Sequence, residues 1–379
     1  MPNIGDILDT VDMMKVDPVV IDEDRCVVVR NRNAKCRRCA DACGAGAIFI
    51  ARNSIRVEAD ACLNCGSCAS VCPDSAITMV EPKAEQVDSR VKATADGSTG
   101  LAVIACSRRA SKGEADPDRF AEVPCLAHLR EDQIIGYVAD GLNDIVLVDG
   151  CCSTCRLGYT SDETDEMIDS AASILEAAQA EAVISRMSDF PSEVLIDEEE
   201  RYRGKSRRGL ARQTGSYMGK IAGNVVRQTL ENKLGLAESE AEKWKRRRAV
   251  NGKLPTFTPD LNYRIIDDLV AMAESDRANI EDDGILDSRR FGDLCIDLEK
   301  CSGCAMCITF CPTEALSYDE YDIPEDDSLR YIEFNSSDCT QCRICVDVCI
   351  RHCLEIGSKV NISEICDPAP RVIAIPKPF

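Results

Sequence analysis

The pattern of apolar and polar positions is clearest in the middle of the chain. Residues 101–105 and 144–148 are short, mainly apolar runs bounded by polar residues, which is typical of strands buried inside a parallel sheet. Between residues 163 and 180 the apolar positions recur on one side of a helix, and residues 182–184 form a further short apolar run. This alternation of strand and helix predicts a parallel α/β domain, which we place at residues 98–190.

A second helical pattern follows, and we predict a basic amphipathic helical linker at residues 195–260. Apolar residues recur there at helical spacing, and three glycines fall at every fourth position, which permits close approach of helices. Residues 201–250 carry 14 Lys and Arg against 4 Glu, which is a net charge of +10. Because the whole chain has a net charge of −21, the residues outside this segment carry −31. Three binding alternatives stay open: an acidic surface of a partner or of this chain, an anionic membrane face, or nucleic acid. The scarcity of aromatic residues in the linker argues against nucleic acid.

Cysteine dominates the candidate chemistry, with 24 in 379 residues, of which 16 form four sets of four. Two sets match the spacing C-x2-C-x2-C-x3-C-P, and a third matches it with Ile350 in place of proline. The remaining set keeps the C-x2-C-x3-C end but has nine residues after its first cysteine and Gly44 after its last. In chain order, the sets are Cys26, Cys36, Cys39, Cys43; Cys62, Cys65, Cys68, Cys72; Cys301, Cys304, Cys307, Cys311; and Cys339, Cys342, Cys345, Cys349.

This spacing has a physical reason. Three thiolates on one short loop can face three irons of a cubane cluster, and the fourth must come from elsewhere. On these motifs the sequence resembles the bacterial dicluster ferredoxins twice, over roughly residues 18–82 and 290–360. The resemblance implies an α+β fold with two ferredoxin-like modules, which we place at residues 1–95 and 261–379, on either side of the α/β domain. It also implies four 4Fe–4S clusters, in which the fourth cysteine of each run serves the other cluster of its module.

Carried over position by position, the resemblance implies four ligand sets, which we number as clusters 1 to 4. They are Cys26, Cys36, Cys39 and Cys72 for cluster 1; Cys62, Cys65, Cys68 and Cys43 for cluster 2; Cys301, Cys304, Cys307 and Cys349 for cluster 3; and Cys339, Cys342, Cys345 and Cys311 for cluster 4. Short strands are predicted after the fourth cysteines, at 47–50, 76–79 and 315–318. Structural zinc is the alternative, although tetrahedral zinc does not need three sulfurs on one loop. If Cys26 is not a ligand, cluster 1 is a three-iron or labile cluster.

Five further cysteines lie just beyond the predicted strand ends of the α/β domain. Because the carboxyl ends of parallel strands meet at one edge of a sheet, we expect these side chains to converge. The five are Cys106, Cys125, Cys151, Cys152 and Cys155. In the order of its motifs, Cys-Ser-Arg, Pro-Cys-Leu-Ala and Asp-Gly-Cys-Cys-Ser-Thr-Cys, the domain resembles the iron–sulfur (delta) subunit of hydrogenases that feed heterodisulfide reductase.

That resemblance implies a 2Fe–2S cluster between a hydrogenase and a flavin protein. The domain departs from the family in two ways: Cys106 stands alone where the family has a cysteine pair, and Arg156 stands where the family has histidine. Three alternatives therefore stay open: a 2Fe–2S cluster on four of the five cysteines, a redox-active dithiol or disulfide, or inert buried thiols. The ligand set assigned to the 2Fe–2S alternative is Cys106, Cys125, Cys151 and Cys155, and Cys295, Cys353 and Cys366 are assigned no role.

The sequence predicts an electron carrier rather than a catalyst. The two histidines, His128 and His352, belong to no zinc-hydrolase or nucleophile motif, and no Gly-x-Gly-x-x-Gly follows a strand. We expect an iron–sulfur electron-transfer subunit of an anaerobic oxidoreductase complex, relaying electrons between hydrogenase, flavin or heterodisulfide-reductase-like partners and not catalytic alone. The alternative is a thiol–disulfide oxidoreductase that uses the region of Cys151, Cys152 and Cys155 and is fed by the ferredoxin modules. A DNA-binding redox sensor is a poor fit, because the chain outside residues 201–250 carries a net charge of −31 and DNA is itself negatively charged.

The location expected from the sequence is cytoplasmic. The first 24 residues show no export signal, and nowhere do 18 uncharged apolar residues run together. The sequence leaves one membrane contact open, attachment of residues 201–250 to the cytoplasmic membrane face.

Overall fold

The computed structural model describes residues 17–196, 254–281, 284–318, 328–367 and 369–377, in which short helices and strands mix in an α+β arrangement. The basic segment 201–250 lies outside these residues, so its helical character and its binding partner stay predictions. Within the described part of the chain, no helix is long and apolar enough to cross a membrane.

Seven short elements form the N-terminal module: β1 (Val19–Ile21), α1 (Val27–Arg30), α2 (Arg38–Asp41), β2 (Ile48–Ala51), β3 (Ser54–Val57), α3 (Ser67–Ser70) and β4 (Ile77–Met79). Strand β1 runs antiparallel to β4, with Val19 opposite Met79, and β2 forms a hairpin with β3. The hairpin turns at Asn53, whose φ of 52° is a left-handed conformation that asparagine tolerates. The strands predicted at 47–50 and 76–79 are confirmed as β2 and β4.

The central domain follows as α4 (Ala84–Thr94), β5 (Leu101–Cys106), α5 (Ser107–Ala110), β6 (Ala121–Val123), α6 (Glu131–Ala139), β7 (Asp144–Val148), α7 (Ser161–Ala177) and β8 (Val183–Met187). Its four strands run parallel in the order β6-β5-β7-β8. The strands predicted at 101–105 and 144–148 are confirmed as β5 and β7. Their side chains are buried on both faces, which is why they read as continuous apolar runs.

The rest of the chain contributes α8 (Asp260–Glu274), β9 (Ile285–Asp287), β10 (Asp293–Ile296), α9 (Met306–Phe310), β11 (Leu316–Tyr318), β12 (Leu329–Phe334), α10 (Ile344–Val348), β13 (Leu354–Gly357), β14 (Lys359–Asn361), α11 (Ile362–Cys366) and β15 (Arg371–Pro376). Strand β10 pairs with β13 and β11 pairs with β12, all antiparallel. This is the order of pairing found in the N-terminal module, so the chain builds the same strand arrangement twice. Strand β15 adds to the free edge of β12.

Not all of residues 261–379 packs around the C-terminal cysteines. Helix α8 lies against α6, and β9 pairs with β14 beside α7. Ile265, Leu269, Leu286 and Ile362 are each fully buried in the same apolar core as the central sheet. The segments that flank the C-terminal cysteine runs therefore fasten the C-terminal module to the central domain.

One arginine joins all three parts of the protein. Arg290, between β9 and β10, donates from Nε to Glu131 Oε2 of the central domain at 2.9 Å. It also donates to two backbone carbonyls of the N-terminal module, Ser70 O at 2.6 Å and Cys72 O at 3.2 Å. Burial alone would raise the pKa of Glu131, but the guanidinium groups of Arg290 and Arg289 lower that pKa to about 2. Glu131 is therefore a buried carboxylate held in its charged form by two arginines.

Candidate iron–sulfur centres

Each cysteine run contains a helix of about one turn. The helices α2, α3, α9 and α10 carry the third cysteines of their runs, Cys39, Cys68, Cys307 and Cys345. In the three regular runs the residue before the helix has a left-handed backbone, with φ of 87° at Gly66, 57° at Ala305 and 61° at Arg343. The stretched run lacks this feature, because Arg37 has a φ of −135°.

The four cysteines implied for cluster 1 come together in the N-terminal module. Burial raises the pKa of the Cys39 thiol, and the charges of neighbouring thiols act in the same direction. These neighbours include Cys72, Cys36 and Cys26. The first cysteine of the stretched run therefore lies with the other three, despite the nine residues that separate it from Cys36.

The cluster 2 cysteines form a second group beside the first. Burial raises the pKa of Cys68 most, and the charges of Cys65, Cys62 and Cys43 raise it further. Cys68 also interacts with Cys72, and Cys39 interacts with Cys68, so the two groups adjoin each other.

The C-terminal module repeats this arrangement. Burial raises the pKa of Cys307 to about 12, and the charges of its cluster 3 neighbours add to the effect. The pKa of Cys345 is raised well above its usual value by burial, then by its cluster 4 neighbours and by Cys307. The neighbours of Cys307 are Cys301, Cys304 and Cys349, and those of Cys345 include Cys339 and Cys311. Cys342 interacts with Cys311 and Cys345 and so belongs to the second of these groups.

The four groups share one composition that fits a 4Fe–4S cluster. Each contains three thiols from one run and one thiol from the other run of the same module, which is the donor pattern of dicluster ferredoxins. Gathering thiols in a buried place disfavours their charged form, and binding to iron reverses this by stabilising the thiolates. Within the ranges described above, no three His, Cys, Asp or Glu side chains converge on the position of a single metal ion.

The cysteines of clusters 1 and 4 meet where the two modules touch. Cys36 and Cys342 both pack against one buried apolar patch, formed by Val27, Ile344 and Val348. Val27 and Lys35 belong to the nine-residue insertion of the stretched run, and Lys35 donates its backbone N–H to Asp347 Oδ2 at 2.8 Å. The insertion therefore builds the contact between the modules.

A buried carboxyl group lies at the same contact. Asp74 is 3% exposed, and its Oδ1 accepts a hydrogen bond from the Thr340 hydroxyl at 2.6 Å. Burial raises the pKa of Asp74 to about 6, although Thr340 and Arg30 oppose the rise. The charge of Asp74 acts on Cys72 of cluster 1 and on Cys342 of cluster 4, so the side chain lies near both groups.

A cavity of about 420 Å³ lies at the carboxyl edge of the central parallel sheet. It is lined by all five cysteines of that domain, Cys106, Cys125, Cys151, Cys152 and Cys155. Cys106 is buried, Cys151 is exposed, and the other three are intermediate. The structure thus brings these residues to one place, while their roles as ligands stay a prediction.

The cysteines of the cavity have different surroundings. The Cys152 Sγ lies 3.4 Å from Asp149 Oδ2 and 3.5 Å from Arg186. Burial and the Asp149 carboxylate raise the pKa of Cys152 to about 11. The Cys151 Sγ lies 2.9 Å from the Ser153 hydroxyl, and that hydrogen bond lowers the pKa of Cys151. Cys151 is therefore the thiol of this cavity that is best placed to react with a molecule from solvent.

Tyr159, which no sequence motif marked, lies between the cavity and cluster 2. Its hydroxyl is 3.7 Å from the Cys65 Sγ, and its ring occupies the space that a Cβ on Gly44 would need, only 2.3 Å away. The next residue, Thr160, has its hydroxyl 3.2 Å from the Cys125 Sγ of the cavity. Two neighbouring residues of one turn therefore contact a cysteine of each site.

Replacing Tyr159 by phenylalanine tests this contact. We expect the midpoint potential of cluster 2 to fall by roughly 30–60 mV, the one-electron equivalent of about 0.7–1.4 kcal/mol, because a donor to a ligating sulfur favours the reduced cluster. The measurement is a redox titration followed by electron paramagnetic resonance. Tyr318→Phe, which removes a half-exposed hydroxyl that accepts a hydrogen bond from Arg330, is the control. An unchanged potential in the Tyr159→Phe protein would show that the hydroxyl does not donate to Cys65.

Comparison with known proteins finds 4Fe–4S domains in both cysteine-rich regions. A family model described as a 4Fe-4S dicluster domain matches residues 300–353, and one described as a 4Fe-4S binding domain matches residues 55–78. A ferredoxin of Mycolicibacterium smegmatis is 25% identical over 92 residues, which are 24% of this chain and 87% of that protein. A ferredoxin of Methanothermococcus thermolithotrophicus is 39% identical over 56 residues, which are 14% of this chain and 80% of that protein. No solved structure matches the chain.

The family models match the modules and not the domain between them. Neither family model extends into the central sheet, so the resemblance of that domain to a hydrogenase-linked delta subunit gains no support from the comparisons. For the cysteine runs, both family models are of 4Fe–4S domains, and the Methanothermococcus relative is covered over four-fifths of its length. Through its two cysteine-rich modules the chain belongs to the ferredoxin family, and its role is iron–sulfur electron transfer.

Proposed function

We propose that the protein is the electron-transfer subunit of an anaerobic oxidoreductase complex, with four 4Fe–4S clusters on the ligand sets given above. The observation that carries this proposal is the crossed composition of the four cysteine groups, each with three thiols from one run and one from its partner run. That composition needs both runs of a module to be folded together, which a set of independent zinc pairs would not require.

The contacts between the groups support one continuous path in the order cluster 2, cluster 1, cluster 4, cluster 3. Cys39 and Cys68 bring clusters 1 and 2 side by side, and Cys307 and Cys345 do the same for clusters 3 and 4. The contact between modules supplies the middle step, since Cys36 and Cys342 share one apolar patch. Electrons then cross the protein without leaving it.

Each end of this path has a feature through which a partner protein could exchange electrons. At the cluster 3 end Cys304 is exposed, and Ile350, next to Cys349, is 71% exposed. At the cluster 2 end Tyr159 leads to the five-cysteine cavity. We place the electron exchange with partner redox subunits of hydrogenase, flavin or heterodisulfide-reductase type at these ends.

In the central cavity we propose a 2Fe–2S cluster on four of the five cysteines. All five line a single cavity next to cluster 2, and cysteine sulfur is the ligand that iron–sulfur clusters use. The second candidate function is thiol–disulfide exchange at the same place, favoured by the exposed Cys151 beside the less exposed Cys152 and Cys155.

Iron and acid-labile sulfide per chain, measured on anaerobically purified protein, test the proposal. We expect about 18 irons, from four cubanes and one binuclear cluster, with the reduced clusters visible by electron paramagnetic resonance. About 16 irons would remove the binuclear cluster and favour thiol–disulfide exchange. Zinc in place of iron would overturn the proposal.

Single serine variants at Cys152 and Cys155 separate the two functions of the cavity. If the cavity holds a cluster, the binuclear signal disappears from at least one variant while about 16 irons remain. If the cavity is a dithiol site, both variants keep the iron content of the wild type and lose disulfide reduction. Cys295→Ser, at an exposed cysteine on β10 outside the cavity, is the matched control.

A further inference from the structure

In all four runs, the residue four positions after the fourth cysteine is small and buried, and its backbone N–H donates to the sulfur of that cysteine. The distance is 3.4 Å from Ala47 N to Cys43 Sγ and 3.2 Å from Ala76 N to Cys72 Sγ. The remaining pairs, Ala315 with Cys311 and Cys353 with Cys349, make the same backbone contact. Three runs therefore have alanine at this position, and the last run has cysteine.

The side chain of Cys353 lies among the cluster 3 cysteines. Its Sγ is 3.5 Å from the Cys349 Sγ, and it also interacts with Cys301. Cys353 is only 6% exposed, and it lines the same small cavity as the four cysteines assigned to cluster 3. The cluster 3 cavity is thus lined by five thiols rather than four.

We propose that Cys353 is a reserve ligand of cluster 3, able to take the place of Cys349. The inference rests on the proposed function, because it requires a 4Fe–4S cluster at cluster 3. Each iron of a cubane takes one protein sulfur, so four of the five thiols are bound at a time. Cys349 and Cys353 are the two that compete for one iron, since they are four residues apart in the chain and their sulfurs lie 3.5 Å from each other.

The competing explanation is that Cys353 is only a packed small side chain. Cysteine behaves in cores as a small hydrophobe, and alanine at the three equivalent positions is 1–3% exposed. On that explanation Cys353 fills the space of alanine and never binds iron. The two explanations differ when Cys349 is removed.

The test is Cys349→Ala in the full chain, purified anaerobically and analysed for iron, sulfide and electron paramagnetic resonance. We expect this variant to keep the iron content of the wild type and to show no three-iron signal after oxidation, with a shifted signal from cluster 3. The matched control is Cys311→Ala, whose residue four positions later is Ala315. It is expected to lose between about one and four irons, with a three-iron signal when the loss is one.

Two further variants complete the design. Cys353→Ala alone should keep all iron, and Cys349→Ala with Cys353→Ala should lose iron as Cys311→Ala does. Loss of iron from the Cys349→Ala protein to the same extent as from Cys311→Ala would overturn the reserve ligand and leave the four clusters in place. A wild-type protein without iron would instead overturn the proposed function.

A transplanted cysteine covers the case in which Cys349→Ala does not fold. Ala315→Cys is introduced together with Cys311→Ala, which places the same four-residue spacing in the third run. Recovery of the iron that Cys311→Ala loses supports the inference, because it shows that a sulfur at this position reaches the cluster. No recovery means that a sulfur at this position does not reach iron, which overturns it.

Discussion

Arg290→Met is expected to lower the free energy of unfolding by about 3–5 kcal/mol. Arg290 is 2% exposed, and its partner Glu131 is completely buried. Without the guanidinium, Glu131 keeps its ion pair with Arg289, and the carbonyls of Ser70 and Cys72 each lose a hydrogen-bond donor. A methionine fills a similar volume but cannot donate a hydrogen bond to the Glu131 carboxylate or to these carbonyls.

The measurement is urea unfolding under anaerobic conditions, with iron content followed in the same samples. Arg371→Met is the matched control, because Arg371 forms an ion pair with Asp293 at 2.7 Å in which both side chains are about 40% exposed. Such an exposed pair contributes only about 0–1 kcal/mol. If the two variants were equally stable, Arg290 would not hold the three parts of the protein together.

The same variant should change the response to acid. The pKa of Glu131 lies at about 2 in the folded protein, below its unfolded value, so this carboxylate stabilises the fold above the unfolded pKa. That contribution is lost as the pH falls from the unfolded pKa through about 2. Removing Arg290 raises the pKa of Glu131 in the folded state, so the Arg290→Met protein should gain less stability than the wild type as the pH rises from 3 to 6.

Gly66→Ala is expected to cost about 2–4 kcal/mol and to release cluster 2. Gly66 follows Cys65 with a φ of 87°, and a Cβ there would lie 2.7 Å from the Cα of His128 and 2.5 Å from its Nδ1. The left-handed backbone does not by itself demand glycine, because Ala305 and Arg343 adopt it at the equivalent places of the other regular runs. Glycine is required because the central domain packs directly on this loop.

His128 has no easy way to move aside. It lies in the short 3-10 helix Leu126–His128, whose residues are all buried, and its Nε2 is 3.1 Å from the carbonyl of Pro82. The added methyl group should therefore displace the cysteine loop, and we expect about four irons fewer per chain. Iron analysis and urea unfolding are the measurements.

Gly46→Ala is the control for Gly66→Ala. Gly46 has a φ of 65° and no atom within 4 Å of its Cβ position, so this substitution reports the cost of the left-handed backbone alone, about 1–2 kcal/mol. Equal stability and equal iron content of the two variants would mean that the contact with His128 does not constrain the cysteine loop.

Much of the local structure could be predicted from the sequence because its causes are local. The strands predicted at 101–105 and 144–148 follow from residues buried on both faces, and β2, β4 and β11 follow the fourth cysteines of their runs as expected. The helix predicted at 163–180 is present as Ser161–Ala177 and ends slightly earlier.

The features that could not be predicted depend on contacts between distant parts of the chain. Tyr159 touches Cys65 across 94 residues, and no spacing rule marks a tyrosine that approaches a cysteine in this way. The nine residues of the stretched run look like a simple insertion, whereas Val27 and Lys35 place them in the contact between modules. Helix α8, which is not predicted from the sequence, also depends on such a contact, because its apolar side faces the central domain.

The bond from Arg290 to Cys72 has a consequence for the order in which the protein is made. The two residues are 218 positions apart, so at translation rates of about 5–20 residues per second the donor leaves the ribosome roughly 10–45 s after the cysteine. During that interval the nascent N-terminal module has neither this support nor the covering surface of Ile344 and Val348. The cluster 1 cysteines are therefore covered only after the C-terminal module has been made, and an assembly factor that delivers iron and sulfide would meet them open before that point and enclosed afterwards.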